Sequence, residues 1–254
     1  MRKTILTILA CVAAMLCQAQ ENPAYRIFTS DGEKTDYGTM LKALSKADVI
    51  FIGETHNCPI SHWIEYEVIS DMARKHPRGL VIGAEMLESD NQLLVDEYVS
   101  GVISSDRFES EAKLWDNHYT DYAPLLYLAR DKGFRFIATN VPRRYASFVK
   151  DNGLDALSGL SDAAKALMAP LPVAYDESTA ENEMFSFMNM MGGHGQQNHY
   201  AEAQALKDAT MAWFIAQNLD GKFIHVNGNF HSDHNGGIIP YLNIYSPGKP
   251  IATV

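Results

Sequence analysis

Four short runs of this chain are almost continuously apolar, and they limit its possible folds more than any other feature. They are Val49-Ile50-Phe51-Ile52, Leu80-Val81-Ile82-Gly83-Ala84, Phe136-Ile137-Ala138 and Phe223-Ile224-His225-Val226. A strand with one wet face alternates polar and apolar residues, so runs without that alternation read as strands covered on both faces. Between them lie longer stretches with helical spacing. Ile64, Val68 and Met72 follow Pro59, residues 122–130 are periodic, and Leu206, Ala209, Trp213 and Ala216 mark a helix over about residues 201–219. Alternating strands and helices predict an α/β fold with a central, largely parallel sheet flanked by helices. Residues 91–132 read as two or three helical pieces. A short helix at 162–168, broken by Pro170 and Pro172, lies in a helical insertion between the third and fourth strands. Residues 241–245 fit either an edge strand or a helix end. Residues 250–254 read as the first half of a strand, so the chain is expected to continue past Val254.

The first nineteen residues carry Arg2 and Lys3, then an apolar stretch, then Ala19. This order is that of a secretory signal peptide, with cleavage expected after Ala19 and a single domain over residues 20–254. Cys11, after Ile8-Leu9-Ala10, offers a lipid-attachment reading. The expected protein is exported, periplasmic or associated with the outer membrane. Without residues 1–19 it carries 19 basic against 31 acidic side chains, a formal charge of −12. That balance argues against nucleic acid or an anionic lipid surface as a partner. Cys58 is then the sole thiol, so no internal disulfide holds the domain.

The strands end on polar residues. Glu54 and His56 follow the first, Glu85 follows the second, and His231 with Asp233 and His234 follows the last. In an open parallel sheet the crevice beyond the carboxyl ends of the strands is the usual ligand site, so Glu54, His56, Glu85 and His231 are expected to converge. Such a cluster has three readings. It holds a divalent metal, it uses a histidine relayed by a glutamate as general base, or its members only satisfy one another. No resident metal is assigned to it. Cys58 beside His56 gives a weaker nucleophile–base pairing. His225 reads as a core residue, while His62, His76 and His118 read as surface or helix-end residues. Gln204 and Asp208, four apart on one helix face, could reach the crevice, although a pair spaced that way is usually solvated or locally bonded.

Residues 184–200 form a second candidate. They hold Met190 and Met191, then Gly192-Gly193-His194-Gly195, then His199-Tyr200. Methionines give an adaptable apolar surface, glycines allow a bend, and His, Tyr and Met all ligate haem iron. Met190, Met191, His194, His199 and Tyr200 are therefore candidate haem-binding residues. The competing reading is a hinge whose methionines pack on the core.

Five motifs occur in order: Phe51-Ile52-Gly53-Glu54-Thr55-His56, Gly83-Ala84-Glu85-Met86, Asn140-Val141-Pro142-Arg143, the helix from Ala203 through Gln204 and Asp208 to Ala212, and Gly228-Asn229-Phe230-His231. Together they resemble the ChaN-like family of exported iron-regulated proteins, grouped with the Tiki proteases and the erythromycin esterases, over about residues 35–254. The resemblance implies a largely parallel α/β sheet and haem as cofactor or cargo. It also implies a role in haem and iron acquisition at the cell envelope, homodimers enclosing stacked haems, and an outer-membrane haem receptor as a further partner. It supports His56 and His231 as site residues. The alternative it carries is a hydrolase of the Tiki or erythromycin esterase type. The esterase element has two residues between Glu and His, whereas Glu54 and His56 have one between them; Gly53-x-x-His56 keeps the glycine-to-histidine spacing.

Overall fold

In the computed structural model of the protein, residues 23–175 and 199–254 are described. The described residues fall into two compact units, divided between Thr39 and Met40. The first contains a short antiparallel hairpin, β1 (Ile27–Phe28) and β2 (Lys34–Thr35), closed by one backbone bond from the Thr29 N–H to the Glu33 carbonyl and by the Glu33 N–H on Thr29 Oγ1. Helix α1 (Tyr37–Leu44) spans the division.

The second unit alternates strands and helices, because each doubly covered strand needs a helix on its faces. In chain order it contains β3 (Val49–Glu54), α2 (Pro59–Lys75), β4 (Leu80–Glu88), α3 (Gln92–Val99), α4 (Ser105–Glu111), α5 (Ala123–Lys132) and β5 (Arg135–Asn140). It continues with α6 (Arg143–Asn152), α7 (Asp162–Lys165), α8 (Tyr200–Gln217), β6 (Lys222–Gly228), α9 (Ile238–Tyr245) and β7 (Ile251–Thr253). Strand order is β5-β4-β6-β3-β7 and every neighbouring pair is parallel. The α/β class and the parallel sheet expected from the apolar runs are both observed. Residues 241–245 are the end of a helix, the second of the two readings left open for them, and not an edge strand. Ile238, Ile239 and Leu242 recur at helical spacing and are buried against the sheet.

One sheet face carries Val49, Phe51, Val81 and Phe223, covered by Met211, Ala212 and Ile215 of α8 and by the apolar face of α9. Ile50, Ile224 and Ile82 stand side by side at the next register level and are fully buried. Pro59 opens α2, where its missing N–H removes no helical bond, and left-handed Gly133 ends α5 at φ 69°. The insertion between β5 and β6 has its own apolar cluster, in which Val149 of α6, Leu157 of a 3₁₀ turn, Met168 after α7 and Leu206 of α8 pack together. No helix of the described residues is long and apolar enough to cross a membrane.

The sheet is tightest where β4 passes β6. A Cβ on Gly83 would lie 2.7 Å from the ring of fully buried Phe223 and 3.1 Å from Thr139 Cγ2. Neither neighbour has free space to move into. Gly83→Ala is therefore expected to lower stability by about 1–3 kcal/mol, seen as a lower urea midpoint at unchanged slope.

Candidate functional site

β6 lies between β3 and β4, and this placement brings three carboxyl ends together on one rim. Glu54 is level with Gly228, and Ala84 with Val226, so Glu85 emerges beside the end of β6. There β4 leaves its regular ladder with β5, since the register shifts between Ala84 and Glu88. The freed Glu85 accepts the Gly228 N–H through Oε2 at 2.8 Å. Gly228 has no side chain for a reason visible here: a Cβ would meet the His56 ring at 2.9 Å.

His231 is held on both sides. Its Nε2 lies 3.2 Å from Glu85 Oε1 and its Nδ1 donates to Asp208 Oδ1 at 2.5 Å, all three residues being buried. Burial alone would favour neutral imidazole, but the Glu85 and Asp208 charges override it and raise the His231 pKa to about 10. Burial would likewise raise Glu85, yet the imidazolium and the Gly228 N–H hold it at about 2. For Asp208 burial wins, helped by the repelling charge of Glu85, and its pKa is raised. With both ring nitrogens engaged, His231 acts as a fixed internal cation. Of the two readings open for Asp208, a solvated helix face or the crevice, the second is observed: it is buried on this ring.

Glu54 organises the other half of the rim. Its Oε1 accepts from His56 Nδ1 at 2.6 Å and from Tyr122 Oη at 2.7 Å, and its Oε2 lies 3.1 Å from His62 Nδ1. Burial opposes the charge, but these donors keep the Glu54 pKa below its ordinary value. Tyr122 comes from a π-helical turn, His118–Tyr122, which also supplies Asp121 beside His62 Nε2 at 3.4 Å. His62 and His118 are not surface residues: α2 carries His62 inward onto Glu54 and Glu65, and His118 packs on Phe108. Burial pulls the His118 pKa down to about 4. Core burial of His225 holds as expected, with Nε2 on Thr139 at 2.7 Å and Nδ1 on Asn227 at 2.9 Å.

His56 differs from the other rim histidine. Its side chain is 41% exposed, its pKa is raised chiefly by the bond to Glu54, and its Nε2 lies over Gly228. It opens onto a cavity of about 920 Å³ that both rim halves line. Leu114, Trp115, Val141 and Phe230 make its apolar wall, and Arg143 and Lys207 bring positive charge. The Trp115 ring meets the His56 ring edge-on at 4.9 Å.

The structure thus brings together Glu54, His56, Glu85 and His231. It places His199 and Tyr200 elsewhere, at the start of α8. There His199 Nδ1 meets Glu202 at 2.5 Å and Lys150 sits 5.7 Å over the Tyr200 ring; neither residue is among the described cavity-lining residues. Met190, Met191 and His194 lie outside the described residues. Cys58 is not among the lining residues either, and its thiol is pulled down by hydrogen bonds from Ser61. Sequence reasoning missed Tyr122, Glu65 and Trp115. The one available signal was the spacing of His62 and Glu65 on the inner face of α2.

The His231 charge ties stability to pH. Its folded pKa of about 10 exceeds the ordinary 6.5, so its contribution is complete below pH 6.5 and is lost as pH rises toward 10. Glu85, depressed to about 2 from 4.5, contributes above pH 4.5 and loses its contribution as pH falls toward 2. His231→Gln leaves two buried carboxylates facing each other without the cation. It is expected to cost about 3–5 kcal/mol at pH 6.5 and to flatten the alkaline fall of the thermal midpoint between pH 6.5 and 10.

Residues 40–242 match the family model described as haem-binding uptake, Tiki superfamily, ChaN. The chain is similar to the structure showing cofacial haem binding to ChaN of Campylobacter jejuni. The TM-score is 0.68 at 19% identity, covering 92% of this chain and 91% of that one. It is also 22% identical over 211 residues to the chloroplastic protein RETICULATA-RELATED 5 of Arabidopsis thaliana, spanning 75% of this chain but only 28% of that relative's length. The family match covers most of the chain, and the chain belongs to the ChaN family of haem-binding uptake proteins in the Tiki superfamily.

Proposed function

We propose that this protein binds haem in the rim cavity, with His56 as the side chain that meets the iron. The observation that carries this reading is the state of the His56 ring: buried Glu54 holds Nδ1, while Nε2 is turned to an apolar cavity with two cations in its wall. The donor set fits the group. An imidazole bonded through its far nitrogen to a carboxylate is a strong metal ligand. Trp115, Phe230, Leu114 and Val141 suit a flat macrocycle, and Lys207 suits a propionate; Arg143, in the same wall, is already bonded to Glu88. The volume lies near the top of the roughly 300–1,000 Å³ range of small-molecule sites. When bound, the iron supplies a Lewis-acid centre; the chain orients the imidazole and walls off water.

The proposal extends to an exported envelope protein acting in haem and iron acquisition, with an outer-membrane haem receptor as a further partner. Family membership and the basic-then-apolar order of residues 1–19 support it. A homodimer is part of the same proposal; it takes its support from the cofacial haem binding described for ChaN of Campylobacter jejuni, since a second copy would give a stacked haem its second surface. A second reading, a hydrolase, is favoured by one feature. The Glu54–His56 pair has the geometry of an oriented general base, whereas His231 has no free nitrogen.

Titration of the purified chain with ferric haem is expected to give a shifted Soret band and a higher thermal midpoint. His56→Ala removes or displaces the band, and Glu54→Gln weakens binding by about 10–100-fold. Affinity rises with pH through the raised His56 pKa, because only the unprotonated Nε2 can bind iron. A band that survives His56→Ala and disappears in His199→Ala or Tyr200→Phe would move the site to the start of α8. Ester or peptide hydrolysis that depends on His56, in protein that takes up no haem, would favour the second reading.

A further inference from the structure

Beneath the rim, on the side of Glu54 away from His56, lies a cluster of which the haem reading uses only Glu54. Glu54, His62 and Glu65 are all buried, and their donor atoms lie within 4.8 Å of one another. We propose that these three side chains form a binding site for a single divalent transition metal of the zinc type.

The first argument is the direction of the His62 ring. Its Nε2 lies 3.1 Å from the His56 carbonyl oxygen, which can only accept, so Nε2 carries the hydrogen. In the neutral ring Nδ1 is then a bare lone pair, and it faces Glu54 Oε2 at 3.1 Å and Glu65 Oε2 at 3.4 Å. Three electron-rich atoms turned toward one point call for positive charge between them, either a proton on Nδ1 or a metal ion that takes the proton's place. A histidine fixed through its far nitrogen by a carbonyl, with Asp121 3.4 Å from the same nitrogen, is the outer-shell support that metal-ligating imidazoles have.

The second argument concerns unused oxygens. Glu54 satisfies His56 and Tyr122 through Oε1 alone, and its Oε2 has no hydrogen-bond partner although the residue is 1% exposed. Glu65, fully buried, also has an oxygen without one, Oε1. Buried carboxylate oxygens are costly to leave unmatched.

The third argument is distance. Donors on one tetrahedral zinc, with bonds of roughly 2.1 Å, lie about 3.4 Å apart, close to the separations across His62 Nδ1. One imidazole and two carboxylates suit zinc or its first-row neighbours, and three protein donors leave a position for water. This cluster shares only Glu54 with the rim set, whose other members are His56, Glu85 and His231.

The test uses haem-free full-length chain stripped by chelator and titrated with Co²⁺, whose visible bands report tetrahedral nitrogen and oxygen donors. One equivalent of Co²⁺ is expected to produce the bands, one equivalent of Zn²⁺ to abolish them, and either metal to raise the thermal midpoint. Glu65→Gln, nearly isosteric, and His62→Ala are expected to lose the bands, while His231→Ala keeps them. If the variants fail to fold, the stripped wild-type chain still decides: no stoichiometric Co²⁺ bands overturns the proposal. Bands that persist in folded Glu65→Gln and His62→Ala, or that vanish only in His231→Ala, also overturn it. Because no haem is present, the result is independent of whether the cavity binds one.

Discussion

A single buried carboxylate at the end of β3 ties the site together. Glu54 receives the imidazole of His56 and the phenol of Tyr122 on one oxygen and faces the ring of His62 with the other; the three come from a loop, a π-helical turn and a helix. A carboxylate with 1% exposure survives as an anion only with such donors around it. Each donor is fixed by the same contact that it satisfies. His56 acquires a defined tautomer, Tyr122 a reason for the irregular turn before α5, and α2 a reason to bury His62 and Glu65 in an otherwise polar stretch.

The opposite half of the rim is built on a different principle. There a protonated histidine is the centre and two carboxylates are its surroundings, so His231 is locked and inert toward ligands. The rim therefore has one histidine with a fixed charge and one with a free nitrogen. Both face the same cavity, but only His56 has a nitrogen to offer it. The asymmetry follows from position: His231 sits one turn past β6 beneath α8, while His56 sits in the open loop before α2.

The sheet and half of the rim were legible because both arise locally. Runs such as Val49-Ile50-Phe51-Ile52 declare burial on two faces, and a polar residue directly after such a run lies at a strand end, so Glu54, His56, Glu85 and His231 could be placed together. What could not be read was anything set by the phase of a helix against the rim. Asp208 and His62 look like ordinary helix residues in sequence, and only the packing of α8 and α2 turns them inward. Tyr122 depends on a π turn with no simple sequence signal. The insertion of β6 between β3 and β4 brings Gly228 under His56, and strand order of that kind is a long-range property. Residues 241–245 left an edge strand and a helix end both open, because a short apolar stretch fits a buried helix face as well as a strand; the helix end is observed.

The central claim is that His56, oriented by Glu54, meets the haem iron through Nε2. Resonance Raman spectroscopy of the ferrous haem complex tests it most directly, since it reads the iron–histidine stretch itself. The account predicts that this band is present in the wild-type chain, falls in frequency in Glu54→Gln as the ring loses its carboxylate, and is absent in His56→Ala. A ferrous complex without an iron–histidine stretch, or with one unchanged by His56→Ala, would contradict it.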